Sequence, residues 1–207
     1  MEADDISPTR IAAAKQTAST FIDNAPIDIN IGIVSFSGSS RIEQDLTNEK
    51  DMLKRAVNGI ELKEIGGTDI YEAILTSSNL LKNQDHRAVI LLSDGQINVG
   101  TIDDAIDYAN YYQIIVHTIG IGTKEGGIAE YGLSKLDEDS LKSLAYEAGG
   151  IYASAENQEN LTKAFSDIFQ LTERKVAINI STYLLLFAIL LVLLEFFLSN
   201  TKYLNLP

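Results

Sequence analysis

Two short stretches of the chain carry the residue types that could do chemistry. One is Ser93-Asp94-Gly95 and the other is Gly66-Gly67-Thr68-Asp69. Both offer carboxylate and hydroxyl oxygens with no histidine or cysteine beside them. That donor set suits a hard cation such as Mg²⁺, Mn²⁺ or Ca²⁺. Thr68 and Asp94 are the candidate metal ligands, and the paired glycines would let backbone approach an ion closely. The same residues also have a plainer use, Thr68 or Asp69 as a helix N-cap and Asp94-Gly95 as a turn, and spacing alone leaves both readings open.

Other chemistries find little support. There is no cysteine, so disulfides, thiol nucleophiles and cysteine-ligated zinc are excluded. The two histidines are His86 and His117. His117 sits mid-strand among apolar residues, where a satisfied core histidine is expected, and His86 precedes a strand on the opposite edge and is expected at the surface. Gly120-Ile121-Gly122 lacks the third glycine and the directly following helix of a dinucleotide fingerprint. No Gly-x-Ser-x-Gly elbow occurs. A net charge of −13 over 207 residues disfavours nucleic acid, whose phosphates need a basic face.

The elements that must position these groups can be read from periodicity. Ala88-Val89-Ile90-Leu91-Leu92 is apolar without alternation, as in a strand of a parallel sheet covered by helices on both faces. In such sheets ligands bind beyond the carboxyl ends of the strands, which is where Asp94 falls. Ser7-Pro8 reads as the N-cap and first residue of a helix carrying Ile11, Ala14, Ala18 and Phe21 or Ile22 on one face. Strands are expected at 27–36, 41–46, 88–93, 114–119 and 151–155. Helices are expected at 48–58, from 70 onward, at 102–112, at 138–148 behind an Asp137 cap, and at 158–171. Residues 120–132 form a glycine-rich loop, with 123–135 close to the candidate metal edge. The alternation predicts a doubly wound α/β domain over residues 1–172, with a mostly parallel sheet and helices on both faces.

The tail differs in kind. From 176 to 198 the strongly polar residues are Asn179 and Glu195, and 183–194 is unbroken and apolar. About 20 such residues cross a hydrocarbon core, which predicts a transmembrane helix over 173–199, a short tail at 200–207 and a place in the cell membrane. Lys163, Arg174 and Lys175 before the span against Lys202 after it do not fix which side the globular domain faces.

Four blocks in order, 31–39 (IGIVSFSGS), 66–75 (GGTDIYEAIL), 88–100 (AVILLSDGQINVG) and 116–122 (VHTIGIG), resemble a von Willebrand factor type A domain. More narrowly they resemble membrane-anchored versions of the BatA/BatB, or aerotolerance, type. The resemblance implies a metal-ion-dependent adhesion site built from an Asp-x-Ser-x-Ser motif, a threonine and an aspartate. The threonine matches Thr68 and the aspartate Asp94, while the Asp-x-Ser-x-Ser motif and the first, central strand before it have no match. The chain is therefore expected to be a fragment or to start late, and to bind Mg²⁺ or another divalent cation weakly or not at all, although the full-length parent should bind it. The implied function is a membrane-anchored module that engages a protein partner through that cation, in a membrane-associated complex that could include a MoxR-type ATPase. The alternatives are a metal-dependent hydrolase on the same sheet, for which no general base stands out beside Asp94, and a metal-free structural membrane module.

Overall fold

A computed structural model of the 207-residue chain describes all residues except 2, 63–66, 130–131, 158, 165–166, 169–180 and 201–207. At 129, 181–183 and 199–200 it describes the backbone alone. The chain divides into two units, Met1–Glu173 and Arg174–Pro207.

In the first unit, helix α1 (Arg10–Asn24) is capped by Thr9, whose side chain accepts the Ala12 N–H. The expected Ser7-Pro8 start is thus two residues early, because Thr9 supplies the capping oxygen. The buried stripe of α1 is Arg10, Ala13, Ala14, Thr17 and Ile22. Strand β1 (Ile31–Phe36) pairs antiparallel with β2 (Ser40–Thr47), and helix α2 (Lys50–Gly59) follows. Residues 27–30 lie outside β1, and Ile27 is exposed. Asp69 caps α3 (Ile70–Leu80) by accepting the Glu72 N–H. The β3 (Ala88–Ser93) strand, α4 (Ile102–Tyr111) and β4 (Ile115–Ile121) come next. The glycine-rich loop contains a small hairpin, β5 (Gly127–Ala129) with β6 (Gly132–Ser134). Helix α5 (Glu138–Glu147), capped by Asp137, leads to β7 (Tyr152–Ala155). Residues 159–164 and 167–168 are helical, and the rest of the helix expected to reach 171 lies outside the described residues.

Strands β3, β4 and β7 form a parallel sheet in that order, with α4 and α5 as the crossovers. Its two faces bury different sets of side chains. Leu91 and Val116 pack with Ile70, Ile74, Ile106, Leu141 and Leu144 from α3, α4 and α5. Ile119 and Ile121 pack with Ala13 and Ala14 of α1 and with Leu161 and Ile168. Helices therefore cover both faces, as a doubly wound sheet requires. The β1–β2 ribbon is a separate sheet, with Ile31 and Ile33 packed against Ile22, Leu53 and Val57. Phe21 of α1 touches both this cluster and the one under β4, so it bridges ribbon and sheet. Among the described residues no strand pairs with the second edge of β1 or of β3.

The second unit contains α6 (Ser181–Asn200). The described residues include no helix long and apolar enough to cross a membrane. Side chains of α6 are described from 184 to 198, about 22 Å of helix at 1.5 Å per residue, against a hydrocarbon core of about 30 Å. The expected span of 173–199 is therefore not established by the fold, and its first residues, 173–180, lie outside the described residues.

Candidate functional site

Asp94 follows directly on β3, where the strand hands over to the turn at Gly95. Its side chain is largely buried, and its carboxylate is fully engaged. Oδ1 accepts the Gln96 N–H at 3.3 Å. Oδ2 accepts from Arg10 Nη1 at 3.1 Å and from the Ser134 hydroxyl at 3.1 Å, and the Met1 amino nitrogen lies 3.7 Å from it. Gly95 adopts φ +76°, and a Cβ there would run into the Asp137 carbonyl oxygen, so only glycine lets this turn lie against the start of α5. The Asp137 N–H in turn donates to the Asp94 carbonyl at 2.8 Å.

Arg10 is the centre of this cluster and is fully buried. A guanidinium has five N–H donors and no accessible deprotonated form, so burial demands a partner for each. All five are spent. Nε donates to Asp5 Oδ1 at 2.7 Å and Nη2 to Asp5 Oδ2 at 2.8 Å, a two-pronged pair. Nη2 also donates to the Ser134 carbonyl at 2.9 Å, and Nη1 to Asp94 and to the Ser134 hydroxyl at 2.8 Å. Asp5 additionally accepts the N–H and the hydroxyl of Thr123 at 2.8 and 3.0 Å. Burial by itself would push the Asp5 carboxyl up, but the bonds from Arg10 and Thr123 outweigh it and hold it down at about 2. The close approach at Gly122 is part of the same fit, since a Cβ there would stand 2.8 Å from Arg10 Nη2.

Thr68 lies on the neighbouring loop of the same rim. Its N–H donates to Asn98 Oδ1 at 2.6 Å and its carbonyl accepts the Asn98 N–H at 3.4 Å, which ties it to the loop that begins at Asp94. Gly66 lies outside the described residues. Thr68 and Asp94 thus stand on hydrogen-bonded loops, yet the side chains that engage Asp94 are those of Arg10 and Ser134. Asp69 also forms a parallel bridge to Val99 and lines a cleft of about 600 Å³ with Tyr71, Gly100, Asp104, Tyr108 and Tyr111. His117 is buried, with its Nδ1 accepting the Ile151 N–H at 3.3 Å, and His86 is exposed.

Sequence reading missed Asp5, Arg10 and Ser134. A signal for Arg10 was available, because it opens the stripe 10, 13, 14, 17 that α1 buries. A charged residue in an apolar stripe must find counter-charges in the core. Nothing local marked Ser134, which reaches the cluster through the β5–β6 hairpin.

These residues do not fit a divalent cation. Among the described residues no group of three or more His, Cys, Asp or Glu is placed to hold a metal ion. Mg²⁺ needs a near-octahedral oxygen shell at about 2.0–2.1 Å. Asp94, the carboxylate expected to ligate it, already faces a buried cation.

Comparison with known proteins agrees with this architecture. Residues 1–96 match the family model described as the von Willebrand factor type A domain. A UPF0353 protein of Nocardia farcinica is 27% identical over 197 residues, covering 81% of this chain and 58% of its own length. The chain thus spans somewhat over half of the curated relatives it matches. An aerotolerance-related membrane protein from Bacteroides fragilis superposes with a TM-score of 0.75 at 23% identity, over 84% of this chain and 93% of that one. BatB from Bacteroides thetaiotaomicron superposes with a TM-score of 0.70 at 25% identity, over 82% of this chain and 93% of that one. Residues 1–96 are thus similar to a von Willebrand factor type A domain, and the α/β unit shares the fold of the aerotolerance-related proteins.

Proposed function

We propose that this chain is a non-catalytic, membrane-anchored von Willebrand factor type A module that binds a protein partner at the rim beyond the carboxyl ends of β3 and β4. The observation that carries the reading is the convergence on that rim of the loops bearing Thr68 and Asp94, tied together through Asn98. The adjoining cleft adds surface suited to a protein, with tyrosine faces and carboxylates side by side. The resemblance suggests a partner in a membrane-associated complex, with a MoxR-type ATPase as the candidate. In a longer parent carrying the Asp-x-Ser-x-Ser strand, Thr68 and Asp94 would contribute to a divalent-cation site.

The anchor in this reading is α6. Its large apolar side chains from Leu184 to Leu198 are 48–68% exposed, which in water would be a costly surface and in lipid is a solvated one. The test is affinity capture from membranes with the full chain, its Thr68→Ala variant and an α6-deleted form. Specific capture that Thr68→Ala weakens at least tenfold is expected, with the α6-deleted form leaving the membrane fraction. Equal capture by wild type and Thr68→Ala would overturn the assignment of the rim.

A further inference from the structure

We infer that the guanidinium of Arg10 is the resident cation of this rim, standing in for a divalent metal, so that the rim of this chain works without one. Every polar atom around it points to that role. Two carboxylates from distant parts of the chain, Asp5 and Asp94, converge on one buried positive group, and the Ser134 carbonyl and hydroxyl complete the surround. These are the oxygen donors a hard cation would attract, but the charge at their centre is covalently fixed and cannot be titrated away.

A divalent ion approaching Asp94 meets that fixed charge across a short distance in a medium of low polarisability. To bind, it must displace a guanidinium whose five donors are all satisfied, leaving them unpaired in the core. Occupancy of the rim by the protein's own cation therefore opposes metal binding here whatever further ligands are at hand. No N–H of Arg10 remains to reach a partner's carboxylate either, so an acidic group on a partner has no cation to complete here. Contact at the rim must come from groups other than the Asp94 carboxylate, such as the Thr68 hydroxyl and the loop backbone.

The inference rests on the proposed function only in naming which rim meets the partner. Its test needs no partner, so its failure would leave that reading standing. The 207-residue chain in mild detergent is titrated with MgCl₂ and CaCl₂ by calorimetry, and its thermal midpoint is followed by circular dichroism with about 10 mM of either salt or with EDTA at matched ionic strength. Wild type is expected to give no binding heat and no shift of midpoint. Arg10→Gln removes the fixed charge and leaves two carboxylates facing each other, so its midpoint should fall without divalent ions and recover by several degrees with them. Arg10→Lys, which keeps a positive charge, should show no such recovery, and the double variant Arg10→Gln/Asp94→Asn should lose it. A purely structural ion pair predicts a midpoint that falls in Arg10→Gln and stays low in every salt, and that result overturns the inference. So does micromolar Mg²⁺ binding by wild type that Asp94→Asn abolishes, a measurement that stands even if Arg10→Gln does not fold.

Discussion

Strand β1 and strand β4 are built from similar residues and meet different fates. IGIVSF in β1 is half-buried at every position, whereas six of the seven residues of β4 are fully buried. Both have helices on their two faces. The difference lies at the edges, since β4 is hydrogen-bonded to β3 on one side and β7 on the other, while among the described residues β1 is paired with β2 alone. An apolar strand is sealed from water only when its neighbours in the sheet plane are also present, and helices above and below are not enough. The pairing of β1 with β2 is itself irregular, with register shifts on either side of Ile33.

If this contrast is correct, the largest loss should come from the residue that locks α1 to the β3 side. Arg10→Met keeps the length of the side chain and strands Asp5 and Asp94 in the core. It should cost about 3–5 kcal/mol in a urea unfolding curve, the usual loss when one partner of a buried ion pair is removed. A loss within the noise would mean that the cluster adds nothing to the fold. A second pair of substitutions weighs the two regions directly. Ile119→Ala in β4 should cost roughly 2–5 kcal/mol and Ile33→Ala in β1 about 1 kcal/mol, because the half-buried site already shares its space with water. Amide exchange should agree, with β4 the slowest-exchanging strand and β1 opening well below the global unfolding energy. Equal protection of β1 and β4 would refute the contrast.

Acid should also act first on the β3 side. The Asp5 carboxyl is depressed in the folded state, so its contribution is complete above the ordinary carboxylate value near 3.8 and is lost as pH falls toward 2. The expected loss is about 2 kcal/mol, the linkage value for a carboxyl lowered from 3.8 to about 2. An Asp5→Asn variant should flatten that limb of the pH–stability curve. The smallest effect belongs to the ribbon side. Lys54 reaches Asp23 at 2.8 Å on the surface between α2 and α1, and Lys54→Ala should leave unfolding curves unchanged.

The contrast also marks what the sequence could disclose. The unbroken run 88–92 and the helical spacing from 70 to 81 located β3 and α3 to within a residue or two, since apolar period and capping chemistry are local properties. Asp137 was readable as a cap for the same reason. The strand expected over 27–36 is shorter because residues 27–28 form a turn, with the Ile29 N–H donating to the Pro26 carbonyl at 3.4 Å, and among the described residues 27–30 pair with no strand. Strand direction placed Asp94 beyond the end of β3, whereas Thr68 was paired with it through the resemblance, and the two loops meet at Asn98. That Asp94 would be neutralised by a residue 84 positions away and by a serine on a hairpin depended on tertiary approach, and no local pattern encodes that.

The tyrosines beside the cleft have a practical consequence. The chain has no tryptophan and nine tyrosines. Tyr71 meets Tyr108 edge-on at 5.5 Å, Tyr108 lies 4.5 Å from Tyr112, and Tyr112 lies 4.9 Å from Tyr111. Excitation energy absorbed by any of the four can pass along that ladder, so their shared ultraviolet emission and near-ultraviolet dichroism report on one corner of the domain. A molecule settling over those rings would announce itself optically, with no label attached.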